Sequence, residues 1–193
     1  MRDSKLIRTG LIAFLLGFSS LANAQFFIGA DGTSLGAKID WNQPVSVVHT
    51  YDLTLARVRV GYQGDFFGFE VHAYSKDDDT SESSGYLGKL ELDTSYGAYL
   101  RMQEKWVYAR LGVTWFDTYY TLALASNPSA TVSDRDVIAM PTFALGIEIP
   151  LGQHIGINLD YTYADGKANY PAFSYGSPTM RIQGPALGLT VKF

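Results

Sequence analysis

The stretch Ala186–Phe193, written ALGLTVKF, decides how the rest of the sequence is interpreted. Large apolar side chains occupy every second position, at Leu187, Leu189, Val191 and Phe193, and small or polar residues lie between them. An alternation with a period of two residues predicts a β-strand with one apolar and one polar face. Such a strand needs neighbours along its edges, so the question is which sheet it completes.

Seven further segments show the same alternation, so the sequence predicts eight strands. They cover 26–36, 51–62, 66–75, 86–101, 106–120, 137–149 and 155–164, followed by the last strand at 179–193. The connections alternate in length: 63–65, 102–105 and 151–154 are short, whereas 37–50, 76–85, 121–136 and 165–178 are long and polar. This alternation predicts that all short turns lie at one end of the sheet and all long loops at the other.

The two faces of these strands differ in charge. One register of strands two to eight is apolar and uncharged, whereas the opposite register collects Asp31, Arg57, Arg59, Glu70, Glu91, Asp93, Arg101, Arg110, Glu148, Asp160 and Lys192. A water-soluble sandwich would bury the apolar set and expose the charged set, and this alternative stays open. In a bilayer the order inverts, and a sheet can span only as a closed barrel, because every backbone group at membrane depth must pair within the protein. We therefore predict an all-β fold, an eight-stranded antiparallel barrel over 25–193.

The first 24 residues have the pattern of a secretory leader. A basic head with Arg2, Lys5 and Arg8 precedes a short apolar run at 11–18 and the small-residue cleavage site Ala22-Asn23-Ala24. The run is shorter than the roughly 20 apolar residues that a membrane-spanning helix needs. We therefore predict a cleaved signal peptide over 1–24 and export of the remaining chain.

The charge balance and the absence of cysteine limit the partners and the means of stabilisation. The leader removes three of 15 basic and one of 19 acidic residues, which leaves 12 against 18 and a net charge of −6. This balance argues against nucleic acid as a partner, since phosphate binding needs clustered Lys and Arg. The chain contains no cysteine, so no disulfide is available to an exported protein.

The closing strand and the opening Phe26-Phe27-Ile28-Gly29-Ala30 together resemble small bacterial outer-membrane barrels of the OmpA/OmpX type and opacity-protein-like barrel domains. The resemblance covers nearly all of the chain after the leader. It implies a monomeric, up-and-down transmembrane barrel in which the last strand closes against the first. It also implies that Leu187, Leu189, Val191 and Phe193 form the signal recognised by the barrel assembly machinery, and that outer-membrane lipid and lipopolysaccharide surround the protein.

The inward charges predict a filled lumen. An eight-stranded barrel is only wide enough for its own side chains, and five basic and six acidic residues are nearly balanced. Charges shielded from water are tolerable when they are paired, so we predict a plug of ion pairs. The alternative is a narrow porin-like channel for ions or small solutes, which would favour an excess of one sign of charge.

An enzyme is not expected, although a lipid-modifying hydrolase acting at the outer leaflet is a third possibility. Of the three histidines, His154 falls in a short turn, His72 points into the lumen, and His49 lies in the first long loop as a solvated residue. The sequence has no nucleophile-elbow or zinc-binding pattern. No cofactor and no metal are expected.

The long loops are the predicted place of function, because binding usually resides on loops that a rigid scaffold supports. The residues expected to contact partners are Trp41, Asp77, Asp78, Asp79, Tyr170, Phe173 and Tyr175. The acidic run could bind a divalent cation or bridge lipopolysaccharide, or it could be a solvated loop tip. The sequence thus predicts a structural or surface-interaction role and leaves the partner open.

Overall fold

The computed structural model describes residues 25–41, 47–173 and 177–193, and the predicted signal peptide lies outside them. These residues form ten strands and no helix that could cross a membrane. The strands are β1 (Gln25–Trp41), β2 (Val47–Gln63), β3 (Phe67–Tyr74), β4 (Asp77–Ser83), β5 (Tyr86–Leu92), β6 (Ser95–Glu104), β7 (Val107–Leu124), β8 (Asn127–Pro150), β9 (Ile155–Lys167) and β10 (Thr179–Lys192).

The strands form a closed antiparallel ring with eight positions, as predicted. Ten strands fill eight positions because two positions are each made of two consecutive strands. β3 and β4 form one of these positions, and β5 and β6 form the other. The ring closes where β10 pairs with β1, from Phe27 opposite Lys192 to Asp40 opposite Thr179. The N–H of Phe193 also donates to the carbonyl of Phe26 at 2.9 Å. The predicted pairing of the last strand with the first is therefore confirmed.

A belt of apolar side chains surrounds the end of the barrel where the three short turns lie. Its members point outward and include Ile28, Val58, Val60, Tyr62, Phe69, Leu100, Leu111, Phe143, Leu145, Leu159, Leu187 and Leu189. An outward apolar belt on a closed barrel meets hydrocarbon, since water would not stabilise so large an apolar surface. The predicted outward register of strands two to eight is confirmed for the part of each strand that lies in the belt.

Beyond the belt the strands continue, where the sequence predicted long loops. β1 and β2 have 17 residues each, β7 has 18 and β8 has 24, whereas a bilayer needs about 9–11. The surplus raises a wall roughly 15–20 Å above the belt, given the rise per residue and the tilt of barrel strands. We call this wall the extension; it comprises 35–41, 47–53, 76–93, 116–140, 164–173 and 179–183.

In the extension, polar and apolar side chains exchange the faces that they occupy in the belt. Its outward side chains are mostly polar, as at Lys38, Asp52 and Arg181, and its inward side chains are mostly apolar. The outward exceptions lie on β7 and β8, where Tyr119, Leu124, Val132 and Val137 are exposed. The buried set includes Leu35, Ala37, Ile39, Leu53, Leu90, Leu92, Phe116, Ile138, Met140, Met180 and Ile182. Each strand thus carries two apolar stretches on opposite faces, because its lower part is surrounded by lipid and its upper part by water.

The fourth strand position, formed by β5 and β6, departs from the prediction because one extra residue interrupts its alternation of inward and outward side chains. Leu92 and Ser95 both point inward, with Asp93 and Thr94 half-exposed between them, and the Ser95 hydroxyl bonds to the Asp93 carbonyl at 2.9 Å. This skip in the alternation reverses the faces of β5. Leu90 and Leu92, predicted to face outward, are therefore buried.

The same reversal corrects two predicted lumen residues. Glu91 and Asp93 lie on the outer surface of the extension, with side chains 42% and 36% exposed. Glu91 pairs with Lys89 at 2.8 Å, and Asp93 pairs with Lys76 at 2.6 Å. The prediction that they line the lumen is wrong, because it assumed unbroken alternation from 86 to 101.

Of the described residues, those of the hairpin of β7 and β8 project furthest from the belt. β8 pairs with β7 along its length but with β9 only from Thr142 to Pro150. A two-residue turn, Ala125-Ser126, joins the strands, and residues 127–132 are exposed on both faces. The Ala125 N–H donates to the carbonyl of Gly85 at 2.9 Å, which links this tip to the turn between β4 and β5.

A seam runs down the extension between β2 and β4. Among the described residues these two strands form no backbone ladder. Side chains of β4 accept hydrogen bonds from the backbone amides of β2 instead. Asp52 N–H donates to the Asp79 carboxylate at 2.8 Å, and Thr54 N–H donates to the Asp77 carboxylate at 2.6 Å. Ala56 N–H donates to the Ser75 hydroxyl at 2.9 Å. Three alternate amides are thus satisfied by side chains.

Replacing Asp77 and Asp79 together by alanine should loosen this seam. The amides of Asp52 and Thr54 lose their acceptors, so their hydrogen exchange is expected to accelerate about tenfold, the equivalent of one hydrogen bond. Asp78→Ala is the control, because Asp78 faces outward and pairs with Lys89 at 3.0 Å. Equal exchange at both amides in the double variant and in the wild type would contradict the role of the two carboxylates.

Candidate functional site: the barrel lumen

The lumen inside the belt contains a layer of charged side chains. Its members come from seven of the eight strand positions and are at most 5% exposed: Asp31, Arg57, Arg59, Glu70, Arg101, Arg110, Glu148 and Asp160. Lys192 lies at the turn end of this layer, 21% exposed, and pairs with Glu148. Strand alternation brings these residues together, since every one occupies the inward register at a similar height.

Asp31 and Asp160 organise one side of the layer. Asp31 accepts hydrogen bonds from Arg57 Nε at 2.9 Å and from Arg59 Nε at 2.6 Å. Asp160 accepts from Arg57 Nη2 at 2.7 Å and from the Tyr108 hydroxyl at 2.9 Å. Each carboxylate therefore has several donors, which is the condition under which a buried charge is tolerated.

Glu70 and Glu148 organise the other side. Arg101 bridges them, donating from Nη1 to Glu70 and from Nη2 to Glu148, both at 2.7 Å. Glu70 also contacts His72 Nε2 at 2.7 Å and lies 3.5 Å from Arg110 Nη1. The His72 ring is therefore committed to this network rather than free to act as a base.

Arg110 joins the two sides of the layer. Its Nη2 lies 2.6 Å from Asp160 Oδ1, close enough for an ion pair although not aligned as a hydrogen bond. The ring of Tyr108 lies beneath two guanidinium groups, with the Arg101 Cζ 4.0 Å from its centroid. Four arginines thus face four carboxylates. The positive and negative charges of the layer are therefore equal in number without Glu91 and Asp93, which lie on the outer surface.

Hydroxyl groups form the next level of the lumen. The Tyr74 and Tyr99 hydroxyls are 3.2 Å apart, and Tyr99 continues to Thr114 at 2.5 Å. Thr114 continues to Thr142 at 2.8 Å. This chain separates the charged layer from the apolar core of the extension.

Three residues predicted as exposed loop contacts instead close the outer end of the lumen. Trp41, Tyr170 and Phe173 are 5%, 1% and 5% exposed and belong to the buried core. The prediction of exposure was wrong because the strands of the extension enclose an interior that large rings fill. Tyr175, the fourth aromatic candidate, lies outside the described residues.

Two carboxylates that the sequence analysis did not select hold the segment carrying these rings. Asp136 accepts the N–H of Asn169 at 2.7 Å, and Asp134 accepts the N–H of Ala172 at 2.6 Å. The Tyr170 hydroxyl also bonds to the Thr118 hydroxyl at 2.8 Å. Sequence alternation in β8 places both aspartates on the inner register, but their partners are more than 30 residues away in the chain.

The acidic candidates Asp77, Asp78 and Asp79 lie in β4 rather than at a loop tip. Two of them complete the seam and the third pairs with Lys89, as described above. Among the described residues no three acidic, histidine or cysteine side chains are grouped so that they could hold a metal ion.

His49 also differs from its prediction as a solvated loop residue. It lies in β2, fully buried in the extension, with its ring 6.1 Å from that of Tyr51 and 6.3 Å from that of Tyr120. Burial lowers the pKa of His49 below its usual range, so the ring is neutral at pH 7. His154 lies in an exposed turn, as predicted, and its Nδ1 is 3.0 Å from the carbonyl of Lys192.

A closed eight-position barrel with a lipid-facing belt and a side-chain-filled lumen defines the class of small outer-membrane β-barrel proteins. Solved structures agree with this class at the level of the fold, which confirms the expected resemblance. The fold is similar to that of Neisserial surface protein A (14% identity, 88% of this chain and 99% of that chain, TM-score 0.54). It is also similar to the outer membrane protein OprG from Pseudomonas aeruginosa (17%, 89% and 96%, 0.51) and to Ail, the attachment invasion locus protein of Yersinia pestis (11%, 86% and 98%, 0.51). No protein-family model and no curated protein matches the sequence.

Proposed function

We propose that this outer-membrane barrel is non-catalytic and non-conducting, with a structural or surface-interaction role exercised through the extension. The observation that carries the proposal is that the lumen is closed twice in series. The charged layer fills it at belt height, and the apolar core with Trp41, Tyr170 and Phe173 fills it above. A solute would have to displace both layers to cross.

The pairing in the charged layer supports closure over conduction. A cation or anion pathway is usually lined by an excess of one sign of charge, whereas the four buried arginines contact four buried carboxylates. An ion crossing this layer would have to compete with contacts of 2.6–2.9 Å that are shielded from water.

The outer wall of the extension offers a surface for interaction. A groove of about 510 Å³ lies on it, lined by Lys76, Asp77, Asp78, Glu91, Leu92, Asp93, Asp117, Tyr119 and Arg135. Arg135 donates from Nε to Asp117 at 2.8 Å, and Lys76 is 69% exposed. The groove lies directly above the belt, so we propose that it contacts the polar headgroup region, including lipopolysaccharide.

Conductance of the refolded protein in a planar bilayer tests closure. We expect a silent bilayer from the wild type, with folding verified by heat-modifiable migration and β-rich circular dichroism. Arg57→Ala and Glu148→Ala should be measured alongside it. Reproducible conductance steps in the wild type that shift with either substitution would overturn the proposal in favour of a narrow channel.

A further inference from the structure

The top of the lumen holds a group of buried polar atoms without aligned hydrogen-bond partners. They are Trp41 Nε1, both ring nitrogens of His49, and the hydroxyls of Tyr51 and Tyr120. All four residues are at most 5% exposed. The Tyr120 hydroxyl lies near the Tyr51 hydroxyl and the Trp41 indole N–H. The Ser81 backbone lies near the His49 ring. None of these contacts is aligned as a hydrogen bond. Buried polar groups are normally paired, so a group of five orphan atoms in one place calls for a ligand or another partner.

These atoms converge on one point beside the backbone of β5. A Cβ built on Gly88 would lie 2.9 Å from the Tyr120 hydroxyl, 3.0 Å from His49 Nδ1, and closer still to the Tyr51 hydroxyl. Glycine is the residue that lets three polar groups from two other strands reach this position. The convergence is therefore a property of the fold rather than of one flexible side chain.

Aromatic rings form the rest of the chamber. Trp41, Tyr120, Tyr170 and Phe173 are all in mutual contact, with centroid distances of 5.3–6.3 Å. Trp41 and Tyr120 belong to strands β1 and β7. Tyr170 and Phe173 belong to the segment after β9, which three polar contacts hold at Thr118, Asp134 and Asp136.

Tyr170 shows what the chamber accepts, since its own side chain is a phenol. Its ring lies 5.7 Å from Tyr120 in a stacked arrangement, and its hydroxyl bonds to the Thr118 hydroxyl at 2.8 Å. The group Trp41, His49, Tyr51 and Tyr120 contains no ionised side chain, because His49 is neutral. The floor of the chamber is apolar and lies above the charged layer, so the chamber is a dead end.

We propose that this chamber binds a small neutral aromatic molecule with a hydroxyl or carbonyl group. The guest takes the place of the Tyr170 and Phe173 rings against Trp41 and Tyr120, and its polar group bonds to the orphan atoms of His49, Tyr51 and Tyr120. Phenols are the simplest members of this class. The binding leaves the charged layer closed, so it is independent of conduction.

Fluorescence of Trp41 tests the proposal. The chain has three tryptophans, and Trp106→Phe with Trp115→Phe, both on the outer surface, leaves Trp41 as the only reporter. Titration of the refolded protein with p-cresol is expected to give a saturable change, and toluene should bind about tenfold more weakly because it cannot form the hydrogen bond. Tyr170→Ala with Phe173→Ala should tighten p-cresol binding about tenfold by removing the internal competitor.

Three further variants separate binding at the site from partition into detergent. Gly88→Ala fills the point of convergence and should abolish saturable binding, whereas Gly32→Ala, where a Cβ meets nothing within 4 Å, should leave it intact. Tyr51→Phe with Tyr120→Phe removes only the hydroxyls and should erase the preference for p-cresol over toluene, even where Gly88→Ala fails to fold. A non-saturable response, or equal responses to both compounds in every variant, would overturn the proposal.

Discussion

Replacing Glu70 by alanine is expected to lower the free energy of unfolding by about 3–5 kcal/mol, the range for breaking a buried ion pair from one side. Glu70 is fully buried and contacts Arg101 and His72 at 2.7 Å. Arg110 and Arg59 lie 3.5 and 3.8 Å away. Without the carboxylate, three guanidinium groups face one another in a region that water does not reach. Denaturant unfolding of the refolded barrel in detergent micelles measures the loss.

Glu91→Ala is the matched control for this experiment. Both residues are glutamates in the predicted inward register, but the skip in β5 and β6 turns Glu91 to the surface, where it pairs with Lys89 at 2.8 Å. Exposed pairs contribute little, so we expect a change within about 0.5 kcal/mol. Similar losses for the two variants would contradict the assignment of Glu70 to the interior and Glu91 to the exterior.

Lysine substitutions along β2 are expected to show that the apolar face of the strand changes from outward in the belt to inward in the extension. Leu53 is 1% exposed and points into the core of the extension. Leu53→Lys places an unpaired charge there and should cost at least about 3–5 kcal/mol. Val58, five residues on, points outward at 51% exposure, and Val58→Lys should cost about 2–4 kcal/mol because its environment is lipid.

Thr50→Lys completes the series as a neutral position. Thr50 points outward like Val58 but belongs to the extension, opposite Lys38 in the register with β1. Water surrounds that position, and the repulsion from the exposed Lys38 opposite adds only a small cost, so the expected change is within about 1 kcal/mol. If Thr50→Lys were as costly as Val58→Lys, the belt would reach higher than the structure indicates and the extension would be shorter.

The barrel and its belt were predictable because a period of two with uncharged residues on one face is a local property of each strand. Leu187, Leu189 and Val191 on β10 illustrate this. The extension was not predicted, although its signal is present: in β1 the apolar positions change from Ile28 on the outer face to Leu35 on the inner face. A strand with a polar outer face predicts a loop if its whole length is assumed to lie in lipid, whereas the upper part of each long strand here is surrounded by water.

The other incorrect predictions depend on contacts that the alternation of apolar and polar residues in the sequence does not reveal. The skip at Asp93 and Thr94 depends on the Ser95 hydroxyl, which bonds to the Asp93 carbonyl. The burial of Phe173 depends on a backbone contact from the same segment to Asp134, 38 residues away from Ala172 in sequence. Aromatic residues in a polar stretch of sequence predict an exposed loop, unless the strands around them are known to enclose an interior.

The projecting hairpin has a consequence for how this surface can change over generations. Residues 127–132 are exposed on both faces. Substitutions and short insertions there face neither a lipid nor a packing constraint. Among the described residues, this tip is therefore the part most free to vary from one generation to the next without loss of folding.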